Sequence, residues 1–240
     1  MPDELDRSRE GGKDLSGGPL IQAVVTTVRQ AGIIVRSEGL TGLGRATWDV
    51  LRRNLLRVRT ADIFEYSLDH LDEIRVAEPT SDLQVTVVAG AHRQGDAARQ
   101  AIVDLDRWAA RKLARGAEAV CLLTGTKLVH VIWVARTSAA CHAIDPFRYE
   151  VDFAHGQASS GGMFTVPDAR GSGFGRSGLL AAFRHLAGQG VTSVRHAIEV
   201  ANEPSLRLHA HFSPRRVGRA RLAHVLGCTI RWQVSSPPPT

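Results

Sequence analysis

Residues 164 to 180 read Phe164-Thr165-Val166-Pro167-Asp168-Ala169-Arg170-Gly171-Ser172-Gly173-Phe174-Gly175-Arg176-Ser177-Gly178-Leu179-Leu180. A strand-like apolar run ends at Val166, Pro167 stops it, and a glycine-rich turn leads into an apolar helix. Glycines let a backbone approach a ligand closely and aim successive N–H groups at one point. The N-terminus of the following helix adds roughly half a positive charge, and Arg170 and Arg176 reinforce it. Such a segment is built to hold a phosphate or pyrophosphate.

Two phosphate ligands compete for it. Gly173, Gly175 and Gly178 satisfy G-x-G-x-x-G, and Glu199 closes the next expected strand, where a dinucleotide fold carries its ribose-binding acid. That reading implies an NAD(P)-dependent oxidoreductase. Against it, four residues separate the strand from the first of these glycines' turn, and too little chain follows to complete a doubly wound sheet. A P-loop is excluded because no G-K-[ST] follows the glycines.

The second reading rests on Arg170-Gly171-Ser172-Gly173-Phe174-Gly175, which fits R-x-x-G-x-G, and on a block one helix and one strand later. There Asn202, Ser205 and Leu208 stand in Asn202-Glu203-Pro204-Ser205-Leu206-Arg207-Leu208-His209. Together the blocks resemble the coenzyme A-binding motifs of the GNAT acyltransferase superfamily, the second resembling its N-x-x-S-x-x-L-Y. The resemblance spans Gly162 to Val217, and from Leu83 to Ala135 a strand, a helix and a hairpin agree in order. It does not reach residues 1–60.

The resemblance implies a mixed α/β fold with a mostly antiparallel central sheet and helices on both faces. It implies that Phe164, Thr165 and Val166 pair with the pantetheine of acetyl-CoA or another acyl-CoA. The N–H groups of Gly171, Ser172, Gly173, Phe174, Gly175 and Arg176 would hold the pyrophosphate, and Asn202 would line the far side. The activity implied is N-acyl transfer, most simply acetyl transfer, to a small-molecule or peptide amine. His209 replaces the motif's tyrosine and is the candidate acid, although a partly buried helix histidine fits the same position. Glu199 is a candidate base, with the pair Glu150 and Asp152 as alternatives. A non-catalytic acyl-CoA-binding module is a third reading.

The rest of the chain frames these motifs. The sequence has 240 residues with 30 Lys+Arg against 24 Asp+Glu, a formal net charge of +6. A basic chain suits an anionic ligand, and with 5% aromatic residues and no basic stripe interleaved with aromatics it argues against nucleic acid. Cys121, Cys141 and Cys228 are scattered, without disulfide or metal-ligand spacing, so no metal is expected. With no long apolar run and no secretory pattern, a cytoplasmic protein is expected. Residues 1–18 and 235–240 read as disordered tails, 19–60 as an N-terminal helical extension, and 61–234 as the acyltransferase-like domain. Arg45, Arg52, Arg53, Arg57 and Arg59 flank an amphipathic stripe of Trp48, Leu51, Leu55 and Val58. Such a helix packs on the domain or makes peripheral contact with an anionic membrane. GNAT proteins are often dimers, so the resemblance leaves a homodimer open.

The expected elements are strands over 63–68, 83–89, 119–124, 128–135, 148–153, 162–166, 191–200, 216–222 and 228–233. Helices are expected over 97–114, 173–187 and 204–211.

Overall fold

A computed structural model describes residues 56–74, 76, 80, 82–90, 97–225 and 228–235. The chain divides into two compact units, Met1–Leu56 and Arg57–Thr240. The tail expectations for 1–18 and 236–240, and residues 19–55 of the helical extension, lie outside the described residues.

The second unit holds an eight-stranded sheet with helices on both faces, as the resemblance implies. Its strands are β1 (Leu56–Ser67), β2 (Leu83–Ala89), β3 (Glu118–Thr124), β4 (Lys127–Ala135), β5 (Gln157–Thr165), β6 (Ser193–Glu199), β7 (Arg215–Val225) and β8 (Cys228–Ser235). They lie in the order β2-β3-β4-β5-β6-β1-β7-β8. The pair β5–β6 is parallel, while β2–β3, β3–β4, β4–β5, β6–β1 and β7–β8 are antiparallel. The helices are α1 (Ala97–Leu105), α2 (Ala109–Ala114), α3 (Ser138–Ile144), α4 (Phe174–Ala187) and α5 (Glu203–Ala210).

Strands β3 and β4 are almost wholly buried, with runs such as Leu128-Val129-His130-Val131-Ile132-Trp133-Val134. A strand covered on both faces needs no polar alternation, which explains that run. On one face Ala98, Ile102, Leu113 and Ile144 of α1, α2 and α3 pack with Cys121, Val131 and Trp133. On the other, Leu179, Ala182, Phe183 and Leu186 of α4 pack on Val120, Ile132, Val134 and Ala158.

Several expectations need correction. Leu56–Thr60, expected as the end of the basic helix, is strand: β1 pairs its later residues Ala61–Ser67 with β6. The long helix over 97–114 breaks at Asp106, whose Oδ1 accepts the Trp108 N–H at 2.9 Å and diverts the backbone. No strand forms over 148–153; instead Asp152 caps a 3-10 turn over Phe153–His155. Ser159 and Ser160, which fall between the strands expected over 148–153 and 162–166, lie inside β5. Helix α3, capped by Thr137 through the Ala140 N–H at 3.3 Å, was not expected at all. The turn to it is short, and seven residues give too little periodicity to read.

Candidate functional site

The site begins where β5 and β6 part. Their parallel register holds at Gln157–Ser193, Ala158–Val194 and Ser159–Arg195, yet β5 continues to Thr165 and β6 to Glu199. A bulge in β5 accompanies the parting. Against β4, Trp133 faces Gly161 and Val131 faces Phe164, so β5 carries an extra residue there. Gly162 takes φ +56 at this point, and a Cβ on it would stand 3.1 Å from Trp133 Cδ1. A bulge with glycine in the left-handed region bends its strand and sharpens the twist, which turns β5 off the line of β6.

The opening is a cavity of about 690 Å3. Gly161 to Thr165 form one wall and His196 to Glu199 the other, with Asn202, Ser205 and Leu208 of the α5 start below and Arg59, Asp145 and Phe147 closing the inner end. A second cavity of about 420 Å3 adjoins it through Thr165, Arg170, Pro204 and Leu208 and is lined by Gly171, Gly173, Gly175 and Arg176. Arg207 and His211 complete that lining.

The glycine turn has the form its sequence dictates. Pro167–Ala169 make a 3-10 turn, Gly171 and Gly173 take φ +82 and +87, and α4 starts at Phe174. Helical hydrogen bonding begins with the Arg176 and Ser177 N–H groups, both donating to the Gly173 carbonyl. The N–H groups just before them have no place in that ladder and are available to an anion. Arg170 donates from Nε to the Thr165 carbonyl at 3.3 Å, and its guanidinium lies 5.8 Å from the Phe164 ring centre. Asn202 is the N-cap of α5, its Oδ1 accepting the Ser205 N–H at 3.2 Å, and it also lines the larger cavity.

Of the two expected catalytic side chains, Glu199 stands on the cavity wall and His209 stands behind it. Arg59 Nε donates to Glu199 Oε2 at 3.0 Å and a second, shorter contact joins Nη2 to Oε1, so the arginine holds the carboxyl below its ordinary range. His209 is 1% exposed and shares a 2.5 Å hydrogen bond between its Nδ1 and the Tyr66 hydroxyl. Burial pushes its pKa down to about 4, so the ring is neutral near pH 7. Its ring centre lies 4.4 Å from that of His196, which does line the larger cavity. The alternatives Glu150 and Asp152 line neither cavity described above: both are exposed, and Asp152 pairs with His155.

Sequence reading missed four polar groups here. Asp145 is 5% exposed; its Oδ1 accepts the Phe147 N–H at 2.8 Å and its Oδ2 the Tyr149 hydroxyl at 3.1 Å. Burial pushes its carboxyl up to about 7. Ser160 Oγ and His196 Nδ1 share a bond of 2.9 Å, and His130 Nδ1 shares one of 2.7 Å with Thr165 Oγ1. Burial also lowers the pKa of both histidines. The one local signal was Asp145-Pro146, a turn pair that carries no hint of a cavity.

Among the described residues no three metal-ligating side chains gather, and no helix is long and apolar enough to cross a membrane. No protein-family model matches the sequence, and no curated protein does. Solved structures match in fold. A Drosophila protein is 12% identical at a TM-score of 0.49, the match covering 78% of this chain and 58% of that one. A GCN5-related N-acetyltransferase from Sphaerobacter thermophilus is 13% identical at 0.46, covering 80% and 57%. A tandem GNAT protein from the clavulanic acid biosynthesis pathway is 15% identical at 0.47, covering 82% and 60%. The chain thus spans about three-fifths of the length of these solved chains. Several of the solved chains similar to it in fold are GNAT-family acetyltransferases.

Proposed function

We propose that this chain is an acyl-CoA-dependent N-acyltransferase that moves an acyl group, acetyl in the simplest case, to a primary amine. The observation that carries the reading is the wedge between β5 and β6, which leads directly to the glycine turn. Past Ser159 the β5 edge has lost its β6 partner, and backbone N–H and C=O groups left so need others. An extended arm with two amides, such as pantetheine, supplies them along Phe164 and Thr165; Val166, expected to join them, has its N–H bonded to the Val129 carbonyl and lines neither cavity. Its pyrophosphate then reaches the N–H groups of Gly171 to Gly175, the Arg176 N–H being taken by the Gly173 carbonyl, with Arg170, Arg176 and Arg207 adding side-chain charge. Asn202 lines the opposite wall.

The thioester end so placed lies toward the inner part of the wedge. A bound amine attacks the carbonyl carbon there, the C–S bond breaks, and coenzyme A leaves as the thiol. A dinucleotide reading fits the fold poorly. One parallel pair in a mostly antiparallel sheet is not a doubly wound architecture, and a 3-10 turn separates β5 from the glycines.

The test is calorimetric titration of the purified full chain with acetyl-CoA, with NADH in parallel. Acetyl-CoA should bind with a Kd of roughly micromolar order, near −8 kcal/mol. Arg170→Glu, which reverses an exposed charge at the turn, should weaken that binding at least about tenfold, some 1.4 kcal/mol, without lowering the melting temperature. Thiol release on adding primary amines completes the case. Binding of NADH in place of acetyl-CoA overturns it, and binding without thiol release from any amine leaves a non-catalytic acyl-CoA-binding module.

A further inference from the structure

The inner end of the cavity contains a carboxyl that forms no ion pair among the described residues, with Arg148 and Arg59 acting on it only at longer range. Asp145 follows α3 directly, and its side chain reaches the point where β5 leaves β6: its Oδ2 stands 3.7 Å from where a Cβ on Gly161 would be. Both of its hydrogen-bond partners, the Phe147 N–H and the Tyr149 hydroxyl, are neutral. Tyr149 is itself fixed by Ser159 Oγ at 2.8 Å, so the carboxyl is held rigidly from the protein side. Arg59, on the same cavity wall, is already engaged by Glu199. A buried carboxylate held by neutral donors alone is costly to ionise, and a cation brought into the cavity relieves that cost.

Resting on the acyl-transfer reading above, we infer that Asp145 receives the ammonium group of the acceptor and takes its proton, so that the substrates are cationic primary amines. An ammonium has three donors and no acceptor, which suits an oxygen left facing a cavity. One proton passes from R–NH3+ to the Asp145 carboxylate. The lone pair thus freed attacks the thioester carbonyl carbon, and the adduct collapses with cleavage of the C–S bond. The departing thiolate takes the second amine proton, and Asp145 returns the first to water through the cavity mouth.

The surroundings suit a proton acceptor near neutrality. Burial raises the carboxyl to about 7, opposed by the Phe147 N–H, the Tyr149 hydroxyl, and the charges of Arg148 and Arg59. A base works best when its pKa lies near the working pH. The other titratable groups around it are the Cys141 thiol, whose pKa burial raises, the Glu199 carboxylate held ionised by Arg59, and His196, kept neutral by burial.

The experiment compares wild type, Asp145→Asn and Tyr149→Phe as full chains, with acetyl-CoA and a panel of 2-phenylethylamine, glucosamine and an amidated dipeptide. Asparagine keeps the shape of the side chain, so acetyl-CoA affinity should stay within about twofold while kcat/KM for the best amine falls by about 100-fold or more. In wild type, kcat/KM should rise with pH through a limb near 7 that Asp145→Asn lacks. Tyr149→Phe removes a bond that favours the carboxylate and should move that limb upward. An Asp145→Asn enzyme with activity within threefold of wild type, or with the limb intact, overturns the inference. So does a limb that Tyr149→Phe leaves in place. Failure of the wild type to bind acetyl-CoA is a separate outcome that removes the acyl-transfer reading and this inference with it.

Discussion

At the glycine-turn end of the cleft the groups offered to a ligand are backbone N–H donors and exposed arginines, whereas at the Asp145 end a single buried carboxyl is held by two neutral donors, the Phe147 N–H and the Tyr149 hydroxyl, the second steadied by Ser159. The arginines of the first end are exposed, so their charges stay solvated and cost little in the free protein. The second end carries a charge in a place where water cannot reach it easily, and its state depends on pH and on what fills the cavity. Substitutions at the first end should therefore be read out in affinity, and those at the second in stability and in pH dependence.

The largest expected effect tests the buried end. An ordinary aspartate titrates near 3.8, while folding lifts Asp145 to about 7, so between these values the folded state binds the extra proton. Its contribution to stability is fully present below about pH 4 and is lost as pH rises through 7. At about 1.4 kcal/mol per pKa unit the loss is on the order of 4 kcal/mol. Glu65 and Glu118, with lowered pKa, act in the opposite sense, losing stability as pH falls below the ordinary glutamate range. The difference between wild type and Asp145→Asn isolates the aspartate. In urea melts from pH 5 to 8, the part of that loss falling within the range, about two pKa units, should let the asparagine variant gain on wild type by about 2–3 kcal/mol. A pH-independent difference would mean that Asp145 titrates normally and that the two ends are alike.

A smaller effect separates two glycines of the turn region that look equivalent in sequence. A Cβ at Gly178 would fall 2.3 Å from Cδ2 of His130, a ring that is fully buried and tied to Thr165. Gly178→Ala should cost roughly 1–3 kcal/mol and lower Tm by several degrees. Gly171 has open space around it and φ +82. Gly171→Ala should cost about 1 kcal/mol in strain and show its main effect as weaker acetyl-CoA binding. Equal losses of Tm in both variants would erase the distinction between a packing glycine and a ligand-facing one. The smallest effect lies between the ends: Glu199→Gln, at a partly exposed ion pair, should change stability by less than about 1 kcal/mol. Thermal melting checks both sets.

How much of this was legible follows from the range of each interaction. The β3–β4 hairpin, the helix over 173–187 and the helix over 204–211 are legible within a residue or two, since each is set by neighbours in sequence. His209 was visible as a histidine in a tyrosine's place, but its burial against Tyr66 joins residues 143 apart. The sequence offers Glu199 as one candidate base among several carboxylates, and its ion pair with Arg59 spans 140 positions. Arg59 itself was assigned to a helix because Trp48, Leu51, Leu55 and Val58 fall at helical spacing, although Val58 and Arg59 lie in β1. Membership of the central sheet overrode the local pattern there.

By itself, then, the sequence determined a glycine turn running into a helix: glycine supplies backbone freedom and helix polarity supplies charge, and both are local properties. Only the tertiary structure decided the inner end of the cleft. The bulge at Gly162 opens β5 away from β6, α3 delivers Asp145 beside Gly161, and Tyr149 and Ser159 fix it there. The donors to this carboxyl, Phe147 and Tyr149, are near neighbours in sequence, but its ionisation depends above all on the water excluded from it, and the segments that exclude it, β5 with Gly161 among them, are put there only by folding.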